Sequence, residues 1–138
     1  MTDSEFLIWA TAAGIDADAV AVILQCAATP LHAKTVRTDC LYSPADIRNL
    51  SETNGFGVSP HDSGFIFVGY CACGDPIALD IAADAGSVWY VSHEVMHSAP
   101  LRDVAVRVAD TLRMAYSAIL TDREFPLDYY SAKRKSGG

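Results

Sequence analysis

The sequence predicts a single α+β domain in which a central antiparallel or mixed sheet combines with an N-terminal helical hairpin and a long C-terminal helix. Three short apolar runs indicate the sheet, over residues 65–70, 77–81 and 88–92. Each run is rich in β-branched and aromatic residues and has the length of an average strand. Their connectors contain Gly74-Asp75-Pro76 and Asp84-Ala85-Gly86, which are typical of turns. Connectors this short exclude a crossover helix, so the strands are expected to pair antiparallel as a meander.

Alternation within these runs predicts what covers the sheet. In the second run Ile77 and Leu79 share one face, while Ala78 and Asp80 share the other. The first run, residues 65–70, is apolar on both faces. This pattern fits a central strand that is covered by helices on one side and by further chain on the other.

Capping and stop signals place the remaining elements along the chain. The predicted elements are helices over about residues 3–13, 16–29, 43–53 and 100–120, and an edge strand within residues 31–42. The last helix is expected to be the longest, because its apolar residues recur at helical spacing. Residues 131–138 are expected to form a flexible tail, although Tyr129 and Tyr130 just before it are expected to dock.

Composition limits the classes of function. The 138 residues are 51% apolar and 20% charged, which is typical of one folded domain. A net charge of −7 argues against nucleic acid as a direct partner. No apolar run approaches the roughly 20 residues of a membrane span, and the N-terminus lacks the basic start of a signal peptide. We therefore expect a cytoplasmic protein without a membrane partner, and the irregularly spaced four cysteines do not suggest a disulfide framework.

The acidic residues are unevenly placed, since no Lys or Arg lies between Arg48 and Arg102. The acidic residues in that interval are Glu52, Asp62, Asp75, Asp80, Asp84 and Glu94. They form either an ordinary solubilising surface or an acidic face that attracts a basic partner. Asp80 lies within a strand, so its carboxylate must face water or find a donor, because burying it unpaired is costly.

One short string could carry metal chemistry. His93-Glu94-Val95-Met96-His97 matches the H-E-x-x-H pattern, in which two histidines one helical turn apart bind zinc and the Glu activates water. Here a strand precedes His93 directly, and Pro100 shortens any helix that follows. A zinc-dependent hydrolase using this string is therefore the alternative, and our first expectation is that these groups end the strand as polar residues.

The pair Cys71-x-Cys73 could bind metal together with His61 or His93. Structural zinc sites favour two to four residues between paired thiolates, and a second pair is missing from the sequence. We therefore favour a turn that carries two small thiols. The sequence also lacks a glycine-rich phosphate loop and a nucleophile elbow.

Residues 43–96 resemble the SUKH superfamily, which includes a yeast cell-wall-synthesis regulator and many bacterial immunity proteins. The resemblance lies in Gly64-Phe-Ile-Phe-Val-Gly69, Cys73-Gly-Asp75-Pro-Ile-Ala-Leu-Asp80 and Gly86-Ser-Val-Trp-Tyr-Val-Ser-His93. Members typically have a strand ending in Gly, a Gly-Asp turn, a strand ending in Asp and a Val-aromatic strand ending near His. The residues of this sequence that match the family's pattern are Gly69, Gly74, Asp75, Asp80 and His93. The Cys-Ala-Cys turn departs from the small polar residues that are common in the family.

The resemblance implies a mixed α+β fold with a concave binding face and a non-enzymatic role without a cofactor. That role would be the binding and neutralisation of a cognate bacterial toxin, for which an acidic surface suits a basic domain such as a nuclease. The expected partner-facing residues are Gly74, Asp75, Asp80, Trp89, His93 and Glu94. Trp89 would be the anchor if exposed and core if buried. Replacement of Asp75 and Asp80 by Lys is expected to abolish toxin binding without unfolding the protein. A regulatory scaffold, like the yeast member of the superfamily, is a further alternative for the function.

Overall fold

The computed structural model describes residues 1–28, 40–53, 55 and 57–136, and it confirms the α+β class. Across these residues the helices are α1 (Asp3–Ala13), α2 (Ala17–Ala28), α3 (Pro44–Thr53), α4 (Leu112–Thr121) and α5 (Tyr129–Lys135). The strands are β1 (Cys40–Leu41), β2 (Phe65–Tyr70), β3 (Pro76–Asp80), β4 (Val88–Val91) and β5 (Ala105–Ala109). Single 3₁₀ turns cover Pro60–Ser63 and Leu101–Val104. None of the described helices is long and apolar enough to cross a membrane.

The described strands form one sheet in the order β1-β2-β3-β4-β5, with every neighbouring pair antiparallel. The predicted meander of β2, β3 and β4 is confirmed. In its register Phe65 lies opposite Asp80, and Ala78 lies opposite Trp89. Most of the edge strand expected within residues 31–42 lies outside the described residues, but Cys40–Leu41 pairs with the end of β2.

Both faces of the sheet are covered, as the alternation of β2 and β3 predicts. One face packs against the helices, and its buried side chains include Ile66, Val68, Ile77, Leu79 and Tyr90. The other face carries Phe65, Phe67, Ala78 and Val91, which pack against residues of the segment that leads into β5. That second layer is a chain segment without an α-helix, and Leu101 and Val104 are its buried members.

The N-terminal helical hairpin is confirmed. The side chain of Thr2 caps α1 by accepting a hydrogen bond from the backbone N–H of Glu5. Gly14 ends the helix with a φ of 94°, which a side chain would strain. Helix α3 also starts as predicted, since Ser43 Oγ accepts from the N–H of Asp46.

The long helix predicted over residues 100–120 is wrong in its first half. Residues 101–104 form a 3₁₀ turn, residues 105–109 form β5, and only α4 is helical from Leu112 onward. The segment Ala105-Val-Arg-Val-Ala alternates with a period of two, and its β-branched residues suit a strand that pairs with the open edge of β4. Thr111 then caps α4 by accepting from the N–H of Met114, so the helix starts at Leu112, twelve residues later than predicted.

The chain end also differs from expectation. Instead of fraying from residue 131, it continues as α5 through Lys135. Asp128 caps this helix, and Tyr129 and Ala132 are buried. Tyr129 therefore docks as predicted, whereas Tyr130 is 44% exposed.

Candidate functional site

Asp80 ends β3 and is the best-connected carboxylate among the described residues. It is 1% exposed, and it accepts from Arg102 at 2.8 and 3.0 Å. The backbone N–H groups of Ala82 and Asp84 add bonds of 2.9 and 3.3 Å. The Arg102 guanidinium is the main cause that lowers the pKa of Asp80 from 3.8 to about 2, in opposition to burial. Asp80 has therefore found a donor, which is one of the two outcomes that its sequence position allows.

Arg102 also fixes the segment that covers the second face of the sheet. Its guanidinium carbon lies 4.0 Å from the centroid of the Phe65 ring, and the group donates to the carbonyl oxygens of Ser63 and Gly64. A partly buried guanidinium over an aromatic face is held by both charge and dispersion. Arg102 thus joins the second layer to the start of β2 and the end of β3.

Asp75 lies directly before β3 and forms a second network. Its Oδ1 accepts from the backbone N–H of His93 at 3.0 Å and lies 2.5 Å from Nδ1 of the His93 ring. Its Oδ2 accepts from the N–H of Tyr129, the first residue of α5, at 2.9 Å. A carboxylate accepts hydrogen bonds, which favours the tautomer of His93 that carries its proton on Nδ1. Asp75 therefore ties the turn before β3 to the end of β4 and to the last helix.

The two carboxylates do not form one catalytic site. They are five residues apart along an extended strand, so at roughly 3.3 Å per residue they are separated by about 16 Å. Paired carboxylates that share acid–base work in glycosidases lie within about 10 Å of each other. Each carboxylate instead satisfies its own set of donors, which is the arrangement of a structural anchor.

The six predicted partner-facing residues therefore divide into two groups. Gly74 and Glu94 are exposed, His93 is partly exposed beside them, and Trp89 is half-buried at another part of the sheet. Asp75 and Asp80 are each 1% exposed, so direct contact with a partner is closed to them, and we correct that part of the prediction. Replacing either residue by Lys would remove the acceptor of several buried hydrogen bonds. The expectation that these changes would abolish binding without unfolding is therefore wrong, because they would also destabilise the fold.

Trp89 packs rather than projects. Its ring centroid lies 5.9 Å from that of Phe65, and its Nε1 donates to Ser87 Oγ at 2.9 Å. The carbon of the Arg102 guanidinium lies 5.9 Å from the Trp89 ring. Trp89 is thus a half-buried member of the second layer, between the two outcomes that the sequence allows.

The H-E-x-x-H string does not form the helix that its zinc-binding form requires. Residues 93–98 are turns, and the Nδ1 of His93 is engaged by Asp75. His97 is exposed and lies beside Gly57. Within the described ranges, no group of three or more His, Cys, Asp or Glu side chains is arranged to hold a metal ion.

The two thiols of the turn have different surroundings. Cys71 is buried, and its Sγ donates to the carbonyl oxygen of Asp75 at 3.3 Å. Cys73 is exposed, and its Sγ donates to Oδ2 of Asp128 at 3.0 Å. That hydrogen bond is the main cause that raises the pKa of the Cys73 thiol, so the neutral thiol is favoured.

The acidic residues between Arg48 and Arg102 do not make one continuous acidic face. Asp75 and Asp80 are buried, as described above. Glu52 pairs with Arg48 at 2.6 Å, and Asp84 pairs with Arg107. Asp62 and Glu94 are exposed without an ion-pair partner among the described residues. The negative charge is therefore distributed over separate positions.

Sequence reasoning missed Arg102, Asp128 and the backbone N–H of Tyr129. One signal pointed to Arg102: Asp80 needed a donor, and Arg102 is the next basic residue in the chain after Arg48. Asp128 could have been recognised as a helix cap by its position before an apolar and basic segment. Comparisons with protein-family models, curated proteins and solved structures give no match to this chain.

Proposed function

We propose that this protein is a non-enzymatic protein-binding module whose role is immunity: it binds and neutralises a cognate bacterial toxin. The observation that carries the proposal is that the polar residues matched by the SUKH resemblance form hydrogen bonds within the protein. Asp75, Asp80 and His93 hold the meander together through two separate networks. Groups used in this way support a scaffold for binding better than a catalytic centre.

The charge of the chain supports a basic partner. The net charge of −7 would speed encounter with a positively charged domain, and a nuclease has such a surface where it binds its substrate. Gly74, His93 and Glu94 are the accessible part of the predicted turn surface. They are too few to supply the roughly 800 Å² that each partner buries in a standard interface, so further contacts are required.

Co-expression tests this proposal. Candidate toxin domains encoded beside the gene for this protein are produced in cells with and without the protein, and cell survival is measured. We expect survival only when both are present, together with a salt-dependent complex of the purified proteins in calorimetry. Toxicity that is unchanged by the protein, with no complex at micromolar concentration, would contradict immunity.

Metal analysis separates this proposal from the alternative zinc hydrolase. We expect purified protein and its His97→Ala variant to have the same metal content. Stoichiometric zinc that is present in the wild type and lost in His97→Ala would favour the hydrolase. A complex with a cellular protein other than a toxin would favour the regulatory scaffold.

A further inference from the structure

A groove opens where α1, α3 and the 3₁₀ turn Pro60–Ser63 meet beside the start of β2. Its volume is about 230 Å³. The residues that line it are Trp9, Ala13, Ser51, Glu52, Ser59, Pro60, His61, Phe65 and Ile66. The apolar members are the half-buried Trp9 and Ala13 and the buried Pro60, Phe65 and Ile66, and the polar members belong to α3 and to the turn with its cap Ser59. The groove thus combines an apolar floor with a polar rim.

The surface of α1 next to the groove is unusually apolar. Ile8 is 71% exposed, and Ala12, one helical turn further, is exposed too. Both adjoin the row of Trp9 and Ala13 that lines the groove. The outward side of a surface helix normally carries polar residues, and a contiguous exposed apolar surface marks an interaction site.

Two exposed carboxylates lie next to groove-lining residues along the chain, and the nearby Arg102, which lies over the Phe65 ring, is paired with Asp80. Glu5 lies one helical turn before Trp9, and Asp62 follows His61 in the turn. Both carboxylates are exposed, and neither has an ion-pair partner within the described part of the chain. The lining of the groove contains no Lys or Arg among the described residues, and its Glu52 is balanced by Arg48 at 2.6 Å. A cationic group that approaches would therefore meet uncompensated negative charge.

We propose that this groove is the anchor site for the protein partner, and that it receives one aromatic or large aliphatic side chain with a Lys or Arg next to it. This inference rests on the proposed function and names the contact that the turn surface alone does not supply. Pockets that enclose whole ligands start at about 300 Å³, so the groove suits a single side chain. Side chains that fill such pockets dominate the binding energy of interfaces, and the negative rim selects a basic neighbour.

The groove can be tested with small probes before any partner is identified. Tryptamine carries an indole ring with an ammonium group, and indole-3-propionate carries the same ring with a carboxylate. In ¹⁵N-resolved NMR titrations we expect tryptamine to shift the amide signals of Ser51, Ser59 and His61, with an affinity at least about threefold higher than that of indole-3-propionate. Equal affinities, or shifts confined to other parts of the chain, would overturn the inference.

Two variants and a matched control connect the groove to these shifts. Ala13→Leu places a larger side chain in the lining, so we expect the tryptamine shifts at the groove to disappear. Ala21→Leu makes the same change on the exposed side of α2, outside the groove lining, and is expected to bind as the wild type does. Asp62→Lys alters an exposed rim charge without touching the core, and we expect it to remove the preference for tryptamine. Persistence of that preference in Asp62→Lys would contradict the role of the rim.

The toxin assay then distinguishes the groove from the proposed function itself. We expect Ala13→Leu to weaken toxin binding at least about tenfold, as loss of a central anchor does, while Ala21→Leu retains it. Wild-type protection that persists in Ala13→Leu would overturn the anchor site and leave the immunity role intact. A wild-type dimer that dissociates in Ala13→Leu would show that a second copy fills the groove, and would overturn the proposal of a basic partner.

Discussion

Replacement of Arg102 by Met is the sharpest test of how the fold is held together. The change leaves Asp80 buried at 1% exposure and removes two of its four hydrogen bonds, both charge-assisted. Met preserves much of the apolar contact with Phe65, so the loss is mainly electrostatic. Removal of one partner from a fully buried ion pair costs about 3–5 kcal/mol, because the other charge stays buried without compensation. The Arg102 side chain is 31% exposed, so water screens part of this interaction, and we expect the free energy of unfolding at pH 7 to fall by about 2–3 kcal/mol.

Urea unfolding measures this loss, and Arg107→Met is the matched control. Arg107 pairs with Asp84 and Asp110, whose side chains are 52% and 70% exposed, so its replacement should cost less than about 1 kcal/mol. Similar losses in both variants, or a loss below about 1 kcal/mol in Arg102→Met, would refute the anchoring role. The difference between wild type and Arg102→Met should also narrow toward pH 3. Acid protonates Asp80 in the variant and removes the uncompensated charge.

Three further results are expected. The pKa of Asp80 is lowered from 3.8 to about 2, so its contribution of about 2 kcal/mol is complete only above about pH 5 and is lost progressively as the pH falls through 3.8 to below 2. Unfolding of wild type and Asp80→Asn at several pH values should show the difference in stability shrinking in acid, and a constant difference would contradict it. Asp75→Asn should cost about 1–3 kcal/mol in thermal or urea unfolding, because an amide cannot accept from every donor, and an unchanged midpoint would contradict the network. Asp128→Asn should lower the pKa of the Cys73 thiol and so speed its reaction with an aromatic disulfide. The rate that belongs to Cys73 is the part of the reaction that is missing in a Cys73→Ser variant, and an unchanged rate in Asp128→Asn would contradict the hydrogen bond.

Local chemistry explains why the meander could be predicted from the sequence. Short connectors with Gly74 and Gly86 allow only antiparallel neighbours, and both glycines have positive φ in the structure, at 81° and 95°. The alternation in β3 also assigned Ile77 and Ala78 to opposite faces, which the two packed layers confirm. These features depend on residues close in sequence, so a single chain is enough to recognise them.

The error over residues 100–111 has a physical cause. Val104 and Val108 are spaced by four residues, which suits a helix, but the intervening Val106 also fits a two-residue period. Local periodicity is ambiguous in such a run, and the free edge of β4 decides the outcome in favour of a strand. Packing against a distant element was therefore stronger than helix propensity.

The candidate site was less predictable, because its bonds join residues far apart in the chain. Asp80 and Arg102 are separated by 22 residues, and Asp75 and Tyr129 by 54. The sequence requires that a buried carboxylate has donors, but it does not say which residues supply them. Asp75 and Asp80, which were expected on an accessible face, are buried because distant residues supply their donors.

The bond between Asp75 and Tyr129 has a practical consequence for shortened forms of the protein. A chain cut before residue 129 would lose α5 and leave one oxygen of a buried carboxylate without its donor, although the meander itself would be intact in sequence. Such a truncation should express poorly or aggregate, because the buried faces of Tyr129 and Ala132 no longer cover their neighbours. Affinity tags are accordingly better fused beyond Ser136 than substituted for the last helix.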